Sequence, residues 1–134
     1  MRTLLIYPAP PAEEYPRGPF RSLWVPTGVG YLGAALAAAG HDVRIHLVTQ
    51  VIDEVGNDRS KTDAVLRKLL EDYRPQLVGL SVTTPSMPAL PGICQMVRDV
   101  CGSAAIIIAG GPHPTALPER TLTEVVGLDG IVIG

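Results

Sequence analysis

AAIIIAGGPHPT, residues 104–115, runs from an apolar, β-branched core into two adjacent glycines and a histidine set between prolines. Three consecutive isoleucines fit a pleated, buried surround. Gly110 and Gly111 then remove side chains where the strand ends, and Pro112 and Pro114 restrict the backbone that follows. A chain that leaves its core and at once strips itself of side chains leaves room for another group. The unit around this stretch is an apolar strand, a loop and a helix. Its recurrence along the chain decides the fold.

TLLIY, residues 3–7, reads as a buried strand stopped by PAPP, whose prolines cannot donate to a ladder. A proline-rich connection follows over residues 8–25, and an ordered loop of that length in a small domain is usually functional. PTGVGYLGAALAAAG is expected to be a helix opening near Pro26 and closing at Gly40. HDVRIHLV, residues 41–48, alternates in part and reads as the second strand. A polar segment with Gly56, Asn57 and Asp58 leads from it into a helix over SKTDAVLRKLLEDYR, capped by Ser60 or Thr62. Val65, Leu66, Leu69, Leu70 and Tyr73 recur there at helical spacing.

PQLVGLSV (75–82) is the third strand, apolar on both parities and therefore expected to be covered on both faces. PALPGICQMVRDVC (88–101) is a third helix, SAAIIIAG (103–110) a fourth strand, TALPERTLTEVV (115–126) a fourth helix and GLDGIVIG (127–134) a fifth strand. Strands alternating with helices pair in parallel, because each helix is the crossover between strands running the same way. The fold class is α/β: a doubly wound, five-stranded, mainly parallel sheet flanked by helices, of the flavodoxin-like or Rossmann-like type. Such sheets bind ligands beyond the carboxyl ends of their strands, where strand order reverses. The unusual loops all fall there: 8–25 after the first strand, TTPSMP after the third and GGPHPT after the fourth.

Length and composition narrow the function. The 134 residues make one domain, 46% of them are hydrophobic and the net charge is −2, so there is no basic footprint for nucleic acid or an anionic membrane surface. Prolines interrupt the amino-terminal apolar run before it reaches signal-peptide length, and no apolar stretch approaches the roughly 20 residues that span a bilayer. A cytoplasmic location is the expectation. Cys94 and Cys101 lie seven apart on one helix, where they cannot bridge each other, and read as packing residues.

GVGYLG, residues 28–33, matches the dinucleotide-binding pattern letter for letter, with Asp53 at the distance of a ribose-binding acid. That mechanism needs its glycines in the turn directly after the first strand. Here about twenty residues intervene and the glycines fall inside a helix, so close helix packing is the better reading. At the end of the third strand, Ser81, Thr83 and Thr84 carry short donors and acceptors, and Gly79 removes bulk beneath them. These hydroxyls suit either a buried polar ring or the nearby backbone.

With 26 residues between Thr83 and Gly110, the chain resembles the cobalamin-binding domains, in which a Ser-x-Leu or Ser-x-Thr strand end and a Gly-Gly pair flank a slot for the cofactor's nucleotide tail. PTGVGYLGAALAAAGHDV, LVGLSVTTPS, IIIAGGPHPTALPE and LDGIVIG look more closely like the amino-terminal domain of B12-dependent radical S-adenosylmethionine enzymes, among them class B methyltransferases and the anaerobic magnesium-protoporphyrin ester cyclase. The resemblance implies cobalamin as the ligand, with Ser81 bonding a ring nitrogen, Val82, Thr83 and Thr84 beside it, and Gly110 and Gly111 forming the bare wall. His113 is implied as a further contact, and Thr115 caps a helix whose first N–H groups face a phosphate or amide.

Many cobalamin domains carry Asp-x-His-x-x-Gly after the first strand. Residues 8–25 contain no histidine, so the corrin is expected without a histidine ligand from this domain, and Arg21, Ser22 and Trp24 are the residues near the vacant position. His41 and His46 read as structural. The resemblance further implies that residues 1–134 are an excised amino-terminal domain of a longer enzyme. In that enzyme a radical SAM barrel would follow, holding S-adenosylmethionine and a 4Fe–4S cluster, and this domain alone would not be catalytic. The competing readings are a domain of the same fold that binds no corrin and serves for docking, and a flavodoxin-like binder of another nucleotide.

Overall fold

The computed structural model describes residues 1–11 and 26–134. Its elements are β1 (Arg2–Tyr7), α1 (Thr27–Ala38), β2 (Asp42–Leu47), α2 (Val48–Val55), α3 (Arg59–Tyr73), β3 (Leu77–Ser81), a 3-10 turn (Thr84–Ala89), α4 (Leu90–Cys101), β4 (Ile106–Gly110), α5 (Pro112–Ala116), α6 (Pro118–Glu124) and β5 (Gly130–Ile131). The strands form one sheet in the order β2-β1-β3-β4-β5, and every pairing is parallel. Strand order reverses at β1, which lies between β2 and β3, so this is a doubly wound α/β sheet with its switch point beside β3.

The two faces of the sheet are furnished differently. Leu4, Ile6, Val78, Leu80, Val82, Ile107 and Ala109 point to one side, where they pack with Leu66, Leu70 and Tyr73 of α3 and Leu90, Ile93, Cys94 and Val97 of α4. Replacing a fully buried member such as Leu70 or Ile107 by alanine costs about 2–5 kcal/mol. Alternation sends Leu5, Leu77, Gly79, Ser81, Ile108 and Gly110 to the other side, beneath α1. There Gly33 brings α1 down onto the sheet, since a Cβ at that position would lie 2.9 Å from Ile45 Cδ1. The Tyr73 hydroxyl ties α3 to the strand ends by donating to the Asp42 carbonyl at 2.6 Å, and the Arg44 guanidinium lies 4.4 Å from the centre of its ring.

Several local expectations change. The polar segment after β2 contains a helix, α2, whose Val48, Val51, Ile52 and Val55 repeat at i, i+3, i+4 and i+7 and bury Val51 and Ile52. Asp58, not Ser60 or Thr62, caps α3, because its carboxylate accepts from the Ser60 and Lys61 amides at 2.9 and 3.3 Å. Val65 points outward on α3, and Leu66, Leu70 and Tyr73 form its buried stripe. The fourth helix starts at Pro112 and is broken at Leu117 (φ −136°, ψ 60°), because the following Pro118 disfavours a helical residue before it. The fifth strand is short, although the Asp129 and Val132 amides extend its bonding to β4, each at 2.8 Å. Among the described residues, no helix is long and apolar enough to cross a membrane.

Candidate functional site

β3 and β4 end side by side, with Ser81 opposite Gly110 and Gly79 opposite Ile108. Both glycines lie on the face beneath α1; the Leu5 side chain covers Gly79, its Cδ2 lying 2.9 Å from where a Cβ would stand, while Gly110 leaves the end of the floor open. The wall facing it is α1, with Gly28, Val29, Leu32 and Leu36. Together they bound a groove of about 220 Å³ whose remaining lining includes Leu5, Leu77, Ile108 and Val132. Ser81 is the only polar side chain among these described lining residues. The arrangement is chemically narrow: a flat apolar group can lie against the Leu5, Leu77 and Ile108 side chains beside Gly110 and meet one hydroxyl.

The two adjacent glycines do different work. Gly110 opens the groove, and a Cβ there would make only ordinary contact with Val132 at 3.5 Å. Gly111 lies at φ 102°, ψ −174°, a conformation essentially closed to other residues, and a Cβ there would fall 2.9 Å from the Val82 carbonyl oxygen. Its bareness lets the β4 turn lie against the backbone that leaves β3. The Val82 amide donates to the Gly110 carbonyl at 2.8 Å, and the His113 amide donates to the Val82 carbonyl at 3.3 Å.

The other sequence-derived residues lie in the turns after β3 and β4 and are not part of the groove's lining. The Val82 side chain is fully buried in the core of the opposite face, so only its main chain reaches the site. Thr83 is engaged locally: its amide donates to Ser86 Oγ at 3.1 Å, and the Ser86 hydroxyl donates back to the Thr83 carbonyl at 2.9 Å. Thr84 Oγ1 lies 3.0 Å from Nδ1 of the buried His113, which joins the 3-10 turn to α5. His113 Nε2 is buried and has no hydrogen-bond partner among the described residues. An orphaned buried nitrogen costs about 1–3 kcal/mol, which a ligand atom in reach would recover.

Thr115 lies inside α5 and caps nothing; its hydroxyl donates to the Gly134 carbonyl at 3.4 Å. The start of α5 also lacks free N–H groups for a phosphate. Pro112 and Pro114 have none, and that of His113 is taken by Val82. Arg21, Ser22 and Trp24 lie outside the described residues.

Leu5, Val29, Leu77 and Ile108 belong to the groove and were not singled out from the sequence. The signal for the strand members was parity: 77, 79 and 81 share one face of β3, as 106, 108 and 110 share one face of β4. The glycines of GVGYLG lie within α1, where Gly28 faces the groove and Gly33 packs on the sheet. A larger cavity of about 420 Å³ lies elsewhere, bounded by His46, Ile52, Arg59, Asp63 and Gly92. Its lining includes His46 near the end of β2 but none of the residues singled out at the ends of β3 and β4, and its charged groups, Arg59 and Asp63, face each other across 3.6 Å at the surface. Burial lowers the pKa of its His46, favouring the neutral ring.

The parallel sheet with its switch point between β1 and β3 defines a doubly wound α/β domain. The chain belongs to the B12 binding domain family, whose sequence pattern matches residues 17–134. It is also 28% identical, over all of its 134 residues, to a Pyrococcus horikoshii protein described as "Uncharacterized methyltransferase PH0819". The chain spans 27% of that relative's length.

Proposed function

We propose that this chain is the cobalamin-binding module of a longer B12-dependent enzyme, and that the groove between α1 and the β3–β4 floor receives the benzimidazole arm of the cofactor. The observation that carries this reading is the pairing of Ser81 with Gly110 above Gly79. A flat bicyclic base with one free ring nitrogen matches an apolar groove that offers a single hydroxyl. Ser81 donates to the ring nitrogen, Gly110 admits the ring, and Gly79 makes room for the Leu5 side chain beside it. His113, held through Nδ1 by Thr84, is a further candidate contact, its Nε2 being buried and without a partner among the described residues. Thr83 and Thr115 border the same turns, and Val82 and Gly111 set their spacing.

The corrin is held without a histidine from this domain, since residues 8–25 contain none. When bound, cobalamin supplies a cobalt that can carry a methyl group. The chain's own residues bind and orient it, and the absence of a strong lower donor tunes it. The parent reaction is methyl transfer or a related radical SAM reaction. Two things favour this: the resemblance of the four quoted segments to that enzyme group, and the methyltransferase description of the relative. Cys94 and Cys101 are both on α4, so the cysteines for a 4Fe–4S cluster belong to another part of the parent.

Gel filtration of the chain after mixing with hydroxocobalamin tests the binding. Co-elution of colour with a spectrum lacking nitrogen coordination to the lower face supports the proposal. A folded chain that elutes colourless, or one that instead retains flavin, overturns it.

A further inference from the structure

The lining of the groove bears on which corrinoid it accepts. Ser81 stands at the carboxyl end of β3, and Gly79 and Leu77 follow along the same face, flanked by Ile108 of β4 and Val29 of α1. Past the Ser81 hydroxyl, no described side chain of the groove can donate or accept a hydrogen bond. The backbone of the floor is already committed, because β3 and β4 pair from Leu77 opposite Ile106 to Ser81 opposite Gly110.

We infer that the groove is selective for the lower base, accepting dimethylbenzimidazole and disfavouring adenine. The inference rests on the cobalamin reading above. Both bases have a five-membered ring in which one nitrogen is bound to the ribose and the other is a free acceptor, so Ser81 serves them equally. They differ in the six-membered ring. In dimethylbenzimidazole it carries two methyl groups, which suit a floor of glycine, leucine and isoleucine. In adenine it carries two ring nitrogens and an amine. With the free acceptor at Ser81, that ring lies against the apolar remainder of the lining, Leu5, Val29, Leu77, Ile108 and Val132, where its polar atoms leave water and find no partner. A site that cannot pair buried polar atoms discriminates strongly against the ligand that brings them.

The test is equilibrium dialysis of the 134-residue chain against cobalamin, its adenine-base analogue and cobinamide, which has no base. Each is used in its dicyano form, so that no base is bound to cobalt. Cobalamin is expected to bind at least about tenfold more tightly than the adenine analogue, the effect of one unpaired buried polar group. Ile108→Thr, which puts a hydroxyl on the floor while keeping a β-branched strand residue, is expected to narrow that ratio. Equal affinity for cobalamin and the adenine analogue in the unmodified chain overturns the base selectivity and leaves the cobalamin reading standing. Cobinamide binding as tightly as cobalamin, or no binding of any of the three, overturns both. Should the variant fail to fold, the ratio measured on the unmodified chain decides alone.

Discussion

Gly111 lies so close to Val82 that a single added carbon would come within 2.9 Å of the Val82 carbonyl oxygen and 3.0 Å of its nitrogen. Both obstructing atoms are backbone, held by the Gly110 and His113 hydrogen bonds, so neither can move aside cheaply. The contact joins the turns after β3 and β4, which carry Thr83, Thr84 and His113.

Gly111→Ala is therefore expected to destabilise the fold by about 1–3 kcal/mol, from φ strain and the backbone clash together. Urea denaturation followed by circular dichroism measures it. A midpoint unchanged from that of the parent chain would show that the turn can rearrange and that the two loops are not held as described.

The neighbouring glycine has a different role, and the same substitution separates the two. Gly110→Ala meets only ordinary contacts with Val132 at 3.5 Å, so its stability loss should be smaller than that of Gly111→Ala, while cobalamin affinity falls because the added methyl occupies the groove. Ser81→Ala should weaken cobalamin binding between about twofold and tenfold, the range of one net hydrogen bond, with little change in unfolding. Dialysis and urea melts on the two variants check both halves. Unchanged affinity in both would remove the β3–β4 floor from the site.

Asp129 predicts an acid limb in stability. The Ile107 amide, which donates to its carboxylate at 2.7 Å, and the Arg98 guanidinium, also at 2.7 Å, hold its pKa below the ordinary carboxylate value of 3.8. The unfolded chain then takes up a proton at a higher pH than the folded one. The stabilisation is present above about pH 4 and is lost as pH falls through the lower, folded-state value. The carboxylate is about half exposed, so solvent screening keeps the effect modest. Stability measured from pH 6 down to pH 2 should fall less steeply in Asp129→Asn than in the parent. Parallel profiles would mean that this carboxyl titrates alike in both states.

The cysteines should differ in reactivity. Cys94 is fully buried in the core, and burial pushes its thiol up to about 11, whereas Cys101 is partly exposed, with a thiol raised by burial to a lesser depth. A disulfide reagent at pH 8 should label at most Cys101 in the native chain and both residues in urea. Rapid native labelling of Cys94 would show that α4 opens far more readily than a core helix does.

Strand and helix order and parallel pairing were legible in the sequence because they follow from local signals. Apolar β-branched runs, proline stops and crossover helices each act within a few residues. The same locality explains the errors. α2 was legible at i, i+3, i+4 and i+7 in VTQVIDEV, but the polar residues among them masked its stripe. Thr115 looked like a cap only while Pro112–Ala116 and Pro118–Glu124 were read as one later helix.

What the sequence alone determined was a doubly wound sheet with small and hydroxyl-bearing residues at the ends of its third and fourth strands, since the period of two and the glycine pair are properties of the chain itself. Only the tertiary structure decided what each of those residues does. Ser81 and Gly110 face the groove while Val82 turns away into the core, and a side chain at Gly111 would collide with the Val82 backbone. Those roles depend on the register of β3 against β4 and on which face α1 covers, and both are set by packing between segments far apart in sequence.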